Sequence, residues 1–338
     1  MSALAMIPAA RHEAVHAALR LTFGSLPQID LQPIKGGVSG ALIFRFTIDE
    51  HAHVLRLEPE RVALHDRQRG FACMTAAAAA GAAPPVHYAD AATGVAIMDF
   101  IPGRPLSEHP GGPIGMVRAL GALIARVQAT PLFPTLGDFR DIVAYLLAKL
   151  SQSGFIAPGQ FELLSEGLAR IRTALPWDTS SLVSSHNDPN PRNILFDGER
   201  VWLVDWEMGF RNDPLVDVAI LTIELAETPE LEDALLEAVF NANPNRALRA
   251  RLGVIRLLTR LYYGCIVLDS MVGTLKSVPD VGFATLSPAA FRAAVADGRL
   301  ASGTPEVAYA FAWMSLTAFI DGLAAPGFGE MLKIAEQG

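Results

Sequence analysis

Within the eight residues His186-Asn187-Asp188-Pro189-Asn190-Pro191-Arg192-Asn193, the sequence sets a carboxylate and an amide five positions apart. A short apolar run, Val201 to Val204, follows and ends at Asp205, with Glu207 two residues beyond. Phosphoryl transfer to a hydroxyl asks for such a set: a group to position the attacking hydroxyl, and divalent metal to neutralise the phosphates. A carboxylate can orient that hydroxyl and take its proton. Mg²⁺ takes oxygen ligands and keeps several waters, so one amide oxygen and one more carboxylate suffice from the protein. On this reading Asp188 serves the hydroxyl with His186 beside it, while Asn193 and Asp205 hold the metal. Glu207 is a candidate for a second metal or a cationic substrate, and equally for a solvated loop carboxylate. Asp, Asn and Pro are ordinary turn residues. That would explain a polar loop, but not the spacing together with an Asp directly after an apolar strand.

The elements that must position these groups can be read from periodicity. Residues 8–23 predict an amphipathic helix, with Val15, Leu19 and Phe23 at helical spacing. Strands are predicted over 31–35, 42–48 and 53–58. The first two are joined by Gly36-Gly37-Val38-Ser39-Gly40, the last two by a hairpin turn over 49–52. A helix over 62–80 stops at Gly81, ahead of prolines. Two short strands at 86–89 and 94–98 complete a five-stranded sheet, and Phe100 to Pro105 reads as a linker. Beyond it the pattern is helical over 113–129, 138–149, 159–174, 215–226, 229–240, 246–270, 288–297 and 305–323. One exception is a β-hairpin, 194–196 with 201–204, around an Asp197-Gly198 turn.

The glycine-rich turn supplies Gly36, Gly37, Ser39 and Gly40 as candidates for the phosphates, because bare backbone amides approach anions closely. By itself such a turn is equally a plain hairpin connection. Arg56, on the third strand, is the candidate cation for the same phosphates, its planar fork suiting them.

Composition bounds the rest. A chain of 338 residues predicts about two domains, and 51% hydrophobic with 18% charged residues allows a large core. A net charge of −8 argues against nucleic acid as the main partner. No run of about 18 apolar residues is present, so no membrane span is expected. The first ten residues lack the basic start of a signal peptide. Cys73 and Cys265 are too few for a disulfide framework or a cysteine zinc site, which fits a reducing cytoplasm.

Three motifs carry a resemblance: His186-x-Asp188-x4-Asn193, Leu203-Val204-Asp205-Trp206-Glu207, and Asn212-Asp213-Pro214-Leu215-Val216-Asp217. With the helix before the first strand and the linker Phe100-Ile101-Pro102-Gly103, the chain resembles the aminoglycoside phosphotransferase and choline/ethanolamine kinase superfamily, relatives of the protein kinases. The resemblance implies an α+β, bilobal protein-kinase-like fold. Residues 1–100 would form a small antiparallel-sheet nucleotide-binding lobe, and 101–338 a larger, mostly helical catalytic and substrate-binding lobe. It implies ATP and Mg²⁺ as cofactors and a small-molecule hydroxyl as acceptor. It assigns Asp99 and Ile101, at the start of the linker, to the nucleotide, and gives Asp217 the task of bracing the catalytic loop. Such kinases place a Glu in the helix after the third strand as partner of its cation. Gly70 stands there, which leaves Asp66 or Glu58. Val204 to Glu207 resembles the choline and ethanolamine branch, and aminoglycosides or other sugars stay open. Tyr262, Tyr263 and Trp313 could hold a quaternary ammonium or be bundle core.

Two other readings remain at this level. One is a catalytically weak, kinase-fold binding protein, suggested by Gly70 and the irregular glycine turn. The other is a zinc peptidase, because His12-Glu13-Ala14-Val15-His16 matches H-E-x-x-H on a predicted helix. Only eleven residues precede that match, too few for the sheet that frames a peptidase cleft. The sequence assigns no oligomeric state.

Overall fold

The computed structural model describes residues 4, 6–34, 40–59, 66–175, 177–272, 286–301 and 303–336. It is an α+β fold in which a small antiparallel sheet accompanies many helices. Contacts group the chain into two compact units, one of residues 1–136 with 182–243, the other of 137–181 with 244–338.

In the first unit, α1 (His12–Phe23) precedes a five-stranded sheet. Its strands are β1 (Gln32–Pro33), β2 (Leu42–Ile48), β3 (His51–Leu57), β4 (Val86–Asp90) and β5 (Val95–Asp99), in the spatial order β1-β2-β3-β5-β4. Side chains alternate between faces along a strand. Phe44, Phe46, Leu55, Leu57, Val95 and Ile97 therefore form one apolar face, and Val15, Ala18 and Leu19 of α1 close over it. Asp49 and Glu50 make the β2–β3 turn with positive φ at both residues, as a tight two-residue hairpin demands. Between β3 and β4 lies α2 (Arg67–Ala79), capped by Asp66, whose carboxylate accepts the Arg69 N–H at 2.9 Å. Gly81, in the left-handed region, ends this segment.

The same unit holds α3 (Gly112–Gln128), a hairpin of β7 (Ile194–Phe196) and β8 (Val201–Leu203), and α6 (Leu215–Glu224) with α7 (Pro229–Phe240). It also holds a pair the sequence did not suggest, β6 (Val183–Ser185) with β9 (Phe210–Asn212). Three residues per strand and a serine-rich stretch carry no period-2 signal, and the pairing spans a whole hairpin. The second unit is helical: α4 (Phe139–Leu150), α5 (Pro158–Ala174), α8 (Arg246–Met271), α9 (Pro288–Ala296), α10 (Pro305–Ala324) and α11 (Phe328–Glu336). The last was not anticipated, because Pro326-Gly327 reads as an end rather than a joint. By length and composition α10 is apolar enough to cross a membrane, and half of its most apolar stretch is buried in this unit, where it packs along α8.

The strand and helix positions expected for the sheet lobe agree with the structure to within a few residues, except at two places. The first strand is only Gln32–Pro33, and the turn residues 35–39 lie outside the described residues, as do 60–65 at the expected start of α2. Cys73 and Cys265 are free and buried, and burial pushes both thiols up to about 12.

Leu55 is fully buried at the centre of the face under α1, next to Arg56 on the opposite face. Leu55→Ala should lower unfolding free energy by about 2–5 kcal/mol, read from the urea midpoint.

Candidate active site

Alternation along β3 turns Leu55 and Leu57 into the core and Arg56 to the other face, with Glu58 two residues on. Arg56 is only 9% exposed. Its Nε donates to Glu58 Oε1 at 2.5 Å and its Nη2 to Asp205 Oδ1 at 2.7 Å, and Glu207 Oε2 lies 3.7 Å from that Nη2. Burial alone would weaken the guanidinium charge. Asp205 first, then Glu58, outweigh it and hold the group above its ordinary pKa. Glu58 is thus the partner that Gly70 could not provide.

At Gly70 α2 lies against the Asp205–Gly209 segment: a Cβ built there would stand in ordinary contact, 3.5 Å from Glu207 Cα and 3.6 Å from the Trp206 carbonyl oxygen. Beside it Arg69, buried, donates from Nε to the Gly209 carbonyl and from Nη2 to that of Glu207, each at 3.0 Å. Sequence reasoning missed Arg69. An arginine in an apolar helix carries no signal of burial, since its stem packs as well on a surface.

Asp188 is half-buried, and two amides aim its carboxylate: Asn190 Nδ2 donates to Oδ1 at 2.9 Å and Asn193 Nδ2 to Oδ2 at 3.0 Å. Asn193 Nδ2 also reaches the Asp188 carbonyl at 3.0 Å. With its nitrogen so engaged, the Asn193 amide presents its oxygen as the end that can meet a cation. Asn190 too was missed, although its place two residues after Asp188 is visible in the motif.

Beneath the loop is a buried polar knot. Asn187 has φ +64°, a left-handed conformation that Asn tolerates better than most residues. Its Nδ2 donates to the carbonyls of Ser185, Met208 and Phe210, and its Oδ1 accepts from Asn212 Nδ2 at 2.6 Å. Asp217, 1% exposed, accepts the backbone N–H of His186 at 2.8 Å and of Asn187 at 2.7 Å. Burial pushes its carboxyl up to about 6, against the pull of those two N–H groups. His186 is also fully buried. Its Nε2 pairs with the Val204 carbonyl at 3.0 Å, and its Nδ1 accepts the Asp188 N–H at 3.3 Å. Burial lowers its pKa to about 4, so it stays neutral near pH 7. As a neutral ring it links the backbone at Asp188 to that at Val204.

Asp205 has φ +68° and ψ +68°, which turns its carboxylate out at the end of β8. Together Asp205, Glu207 and Glu58, with Asp188 near enough to act on Glu207, crowd several carboxylates around one guanidinium. Burial, and next Asp205, push Glu207 up to about 8. Carboxylate and amide oxygens are the hard donors that a divalent ion such as Mg²⁺ takes, and Asn193 and Asp205 are the residues that would hold it.

The remaining candidates fall elsewhere. Gly36, Gly37 and Ser39 lie outside the described residues. Gly40 is exposed with φ +74°, a value suited to glycine. Asp99 turns its carboxylate to His87 at 2.6 Å, away from the Arg56 cluster, and Ile101 is half-buried in the linker. Tyr262, Tyr263 and Trp313 are buried among rings of the second unit. His12 pairs through Nε2 with the Ile7 carbonyl at 2.9 Å, and its helix shows only Val15, Ala18 and Leu19 to the core. Among the described residues, the grouping of three metal-capable side chains does not include His12 or His16.

A family model described as the phosphotransferase enzyme family matches residues 30–252. The chain is 41% identical over 56 residues to the protein LicA of Haemophilus influenzae, a match covering 17% of this chain and 21% of that protein. Among solved structures it resembles a choline/ethanolamine kinase family protein from Mesorhizobium loti, with a TM-score of 0.67 and 22% identity over 97% of this chain and 100% of that one. It also resembles a spectinomycin phosphotransferase solved with ADP and spectinomycin, with a TM-score of 0.54 and 12% identity over 90% and 98% of the two chains. At these identities the two structures speak to the fold.

Glu207 keeps a proton in the folded protein over the window from about 4.5 to about 8, where the unfolded chain has lost it. Stability of the metal-free protein therefore falls as pH rises through that window. Glu207→Gln should remove this fall, making the variant more stable than wild type at pH 9 by on the order of 2–4 kcal/mol and little different at pH 4.5. Urea midpoints in chelator at the two pH values check it.

Proposed function

We propose that this chain, which belongs to the phosphotransferase enzyme family, transfers the γ-phosphate of ATP to a hydroxyl of a small molecule. The observation that carries the reading is the Asp188 carboxylate, aimed by Asn190 and Asn193 and close enough to the Asp205–Glu207 pair to raise the pKa of Glu207. A hydroxyl donating to Asp188 would be oriented for in-line attack and would pass its proton there. His186 and Asp217 keep that carboxylate in place through the backbone of the loop. Asn193 and Asp205 would hold Mg²⁺, which would neutralise charge on the phosphates. Arg56 supplies the fixed cation of the site, and Glu58 keeps its fork oriented. Gly36, Gly37, Ser39 and Gly40 are assigned to the phosphates on the chemistry of their backbone amides, and Asp99 and Ile101 to the nucleotide at the linker. In this reading residues 1–100 act as the nucleotide lobe and 101–338 as the catalytic lobe of a cytoplasmic enzyme.

For the acceptor we propose a choline- or ethanolamine-like amino alcohol. Val204-Asp205-Trp206-Glu207 supports it at the level of motif, and the near-complete coverage of the choline/ethanolamine kinase family protein supports it at the level of fold. An aminoglycoside is the second candidate, since the spectinomycin phosphotransferase shares the fold.

ATP consumption with Mg²⁺ should rise with at least one member of a panel of alcohols, amino alcohols and aminoglycosides. Absence of both turnover and nucleotide binding across the panel would refute the assignment. Asp188→Asn should cut turnover about 10²–10⁴-fold with ATP affinity within a few-fold of wild type. A variant turning over at the wild-type rate would remove Asp188 from its role.

A further inference from the structure

We infer that His53, His87 and Asp99 form a second metal site, separate from the Asp188–Asp205 centre, that takes a zinc-class divalent cation. The three residues come from β3, β4 and β5, and one ligand atom from each lies within 4.8 Å of the other two. Two features of the sheet assemble them. His53 and Asp99 are directly opposed partners in the β3–β5 register. His87 sits where the β4–β5 register shifts between Val86 and Tyr88. A bulge of this kind re-aims a side chain, and here it brings His87 Nε2 to 2.6 Å from Asp99 Oδ1.

The decisive group is His53. It is 7% exposed, its ring packed against Phe23, Phe46 and His87. Its Nδ1 is buried and has no hydrogen-bond partner, and it faces Asp99 Oδ1 at 3.7 Å. Native interiors rarely leave such a nitrogen unmatched. Burial, and next the neighbouring His87, lower the His53 pKa and keep the ring neutral, which is the form that ligates metal. Bonds of about 2.0–2.2 Å to a tetrahedral zinc ion place ligand atoms roughly 3.3 Å apart. His87 and Asp99 need only part slightly, and both are more than a third exposed at the side chain. Two imidazoles and one carboxylate are a three-ligand zinc set, with the fourth position open to water on the exposed side. An ion there would tie three adjacent strands together at the end that leads into the linker.

Untagged protein, stripped with chelator and kept in excess Mg²⁺ to occupy the other centre, is titrated with Zn²⁺ by calorimetry and with Co²⁺ by visible absorption. One equivalent should bind, with an absorption band of tetrahedral Co²⁺ that Zn²⁺ abolishes and a rise in melting temperature. His87→Gln and Asp99→Ala, both at exposed positions, should weaken binding at least 10-fold, with melting in chelator close to wild type. His16→Gln and Asp205→Asn should leave it unchanged. The inference fails if wild type takes up no Zn²⁺ at micromolar concentration or if His87→Gln binds as wild type does. It fails equally if the bound ion is lost from His16→Gln or Asp205→Asn instead.

Discussion

A guanidinium buried among carboxylates is the constraint around which the candidate site is organised. Arg56 reaches Glu58 just past the end of its own strand and Asp205 at the end of a hairpin nearly 150 residues later. A buried charge is tolerated only when it is paired and hydrogen-bonded, and removing one partner of such a pair typically costs about 3–5 kcal/mol. The sheet is thereby tied to the turn that follows β8. Among the described residues, Glu207 Oε2 also lies 3.7 Å from this guanidinium, and burial together with the neighbouring Asp205 pushes the Glu207 carboxyl up to about 8.

The 186–193 loop rests on a different device. It has little regular structure, so its backbone groups must find partners outside a helix or sheet. Asp217 takes two of its N–H groups, and Asn187 spans three carbonyls from β6 and the Met208–Phe210 segment. The titrations beneath the loop run in opposite senses. Burial drives His186 toward its neutral form and also drives Asp217 toward its own, but two N–H donors limit the second shift. The result at neutral pH is a neutral imidazole, whose Nδ1 can accept the Asp188 N–H, and a carboxylate that accepts the two loop N–H groups. Left-handed residues at Asn187 and Asp205 add local strain that the knot holds in place.

Close approach completes the arrangement. At Gly70 α2 lies against the backbone at Glu207, and Arg69 seals the contact through two carbonyls. The partner of Arg56 is Glu58, directly after the same strand. The same sheet, on its other face, gathers His53, His87 and Asp99. Alternation of side chains across β3 thus sends Arg56 to one chemistry and His53 to another.

Much of this was legible in the residues. Asp188, Asn193, Asp205 and Asp217 could be named as candidates because they stand at short range along the chain, and short range is what sequence records. The sheet strands and most helices followed from periodicity, since burial of one face imposes it. What the sequence could not give was anything decided by two distant segments meeting. It offered both Asp66 and Glu58 to Arg56, and only the packed sheet shows Asp66 spent on a helix cap and Glu58 on the guanidinium. The β6–β9 pair, the burial of Arg69 and the His53–His87–Asp99 grouping likewise depend on register and on one bulge. The chain alone determined which groups could do chemistry and in what order they occur. The tertiary structure decided which of them share a charge, a proton or a ligand, because those interactions fall off over a few ångströms and sequence distance says nothing about them.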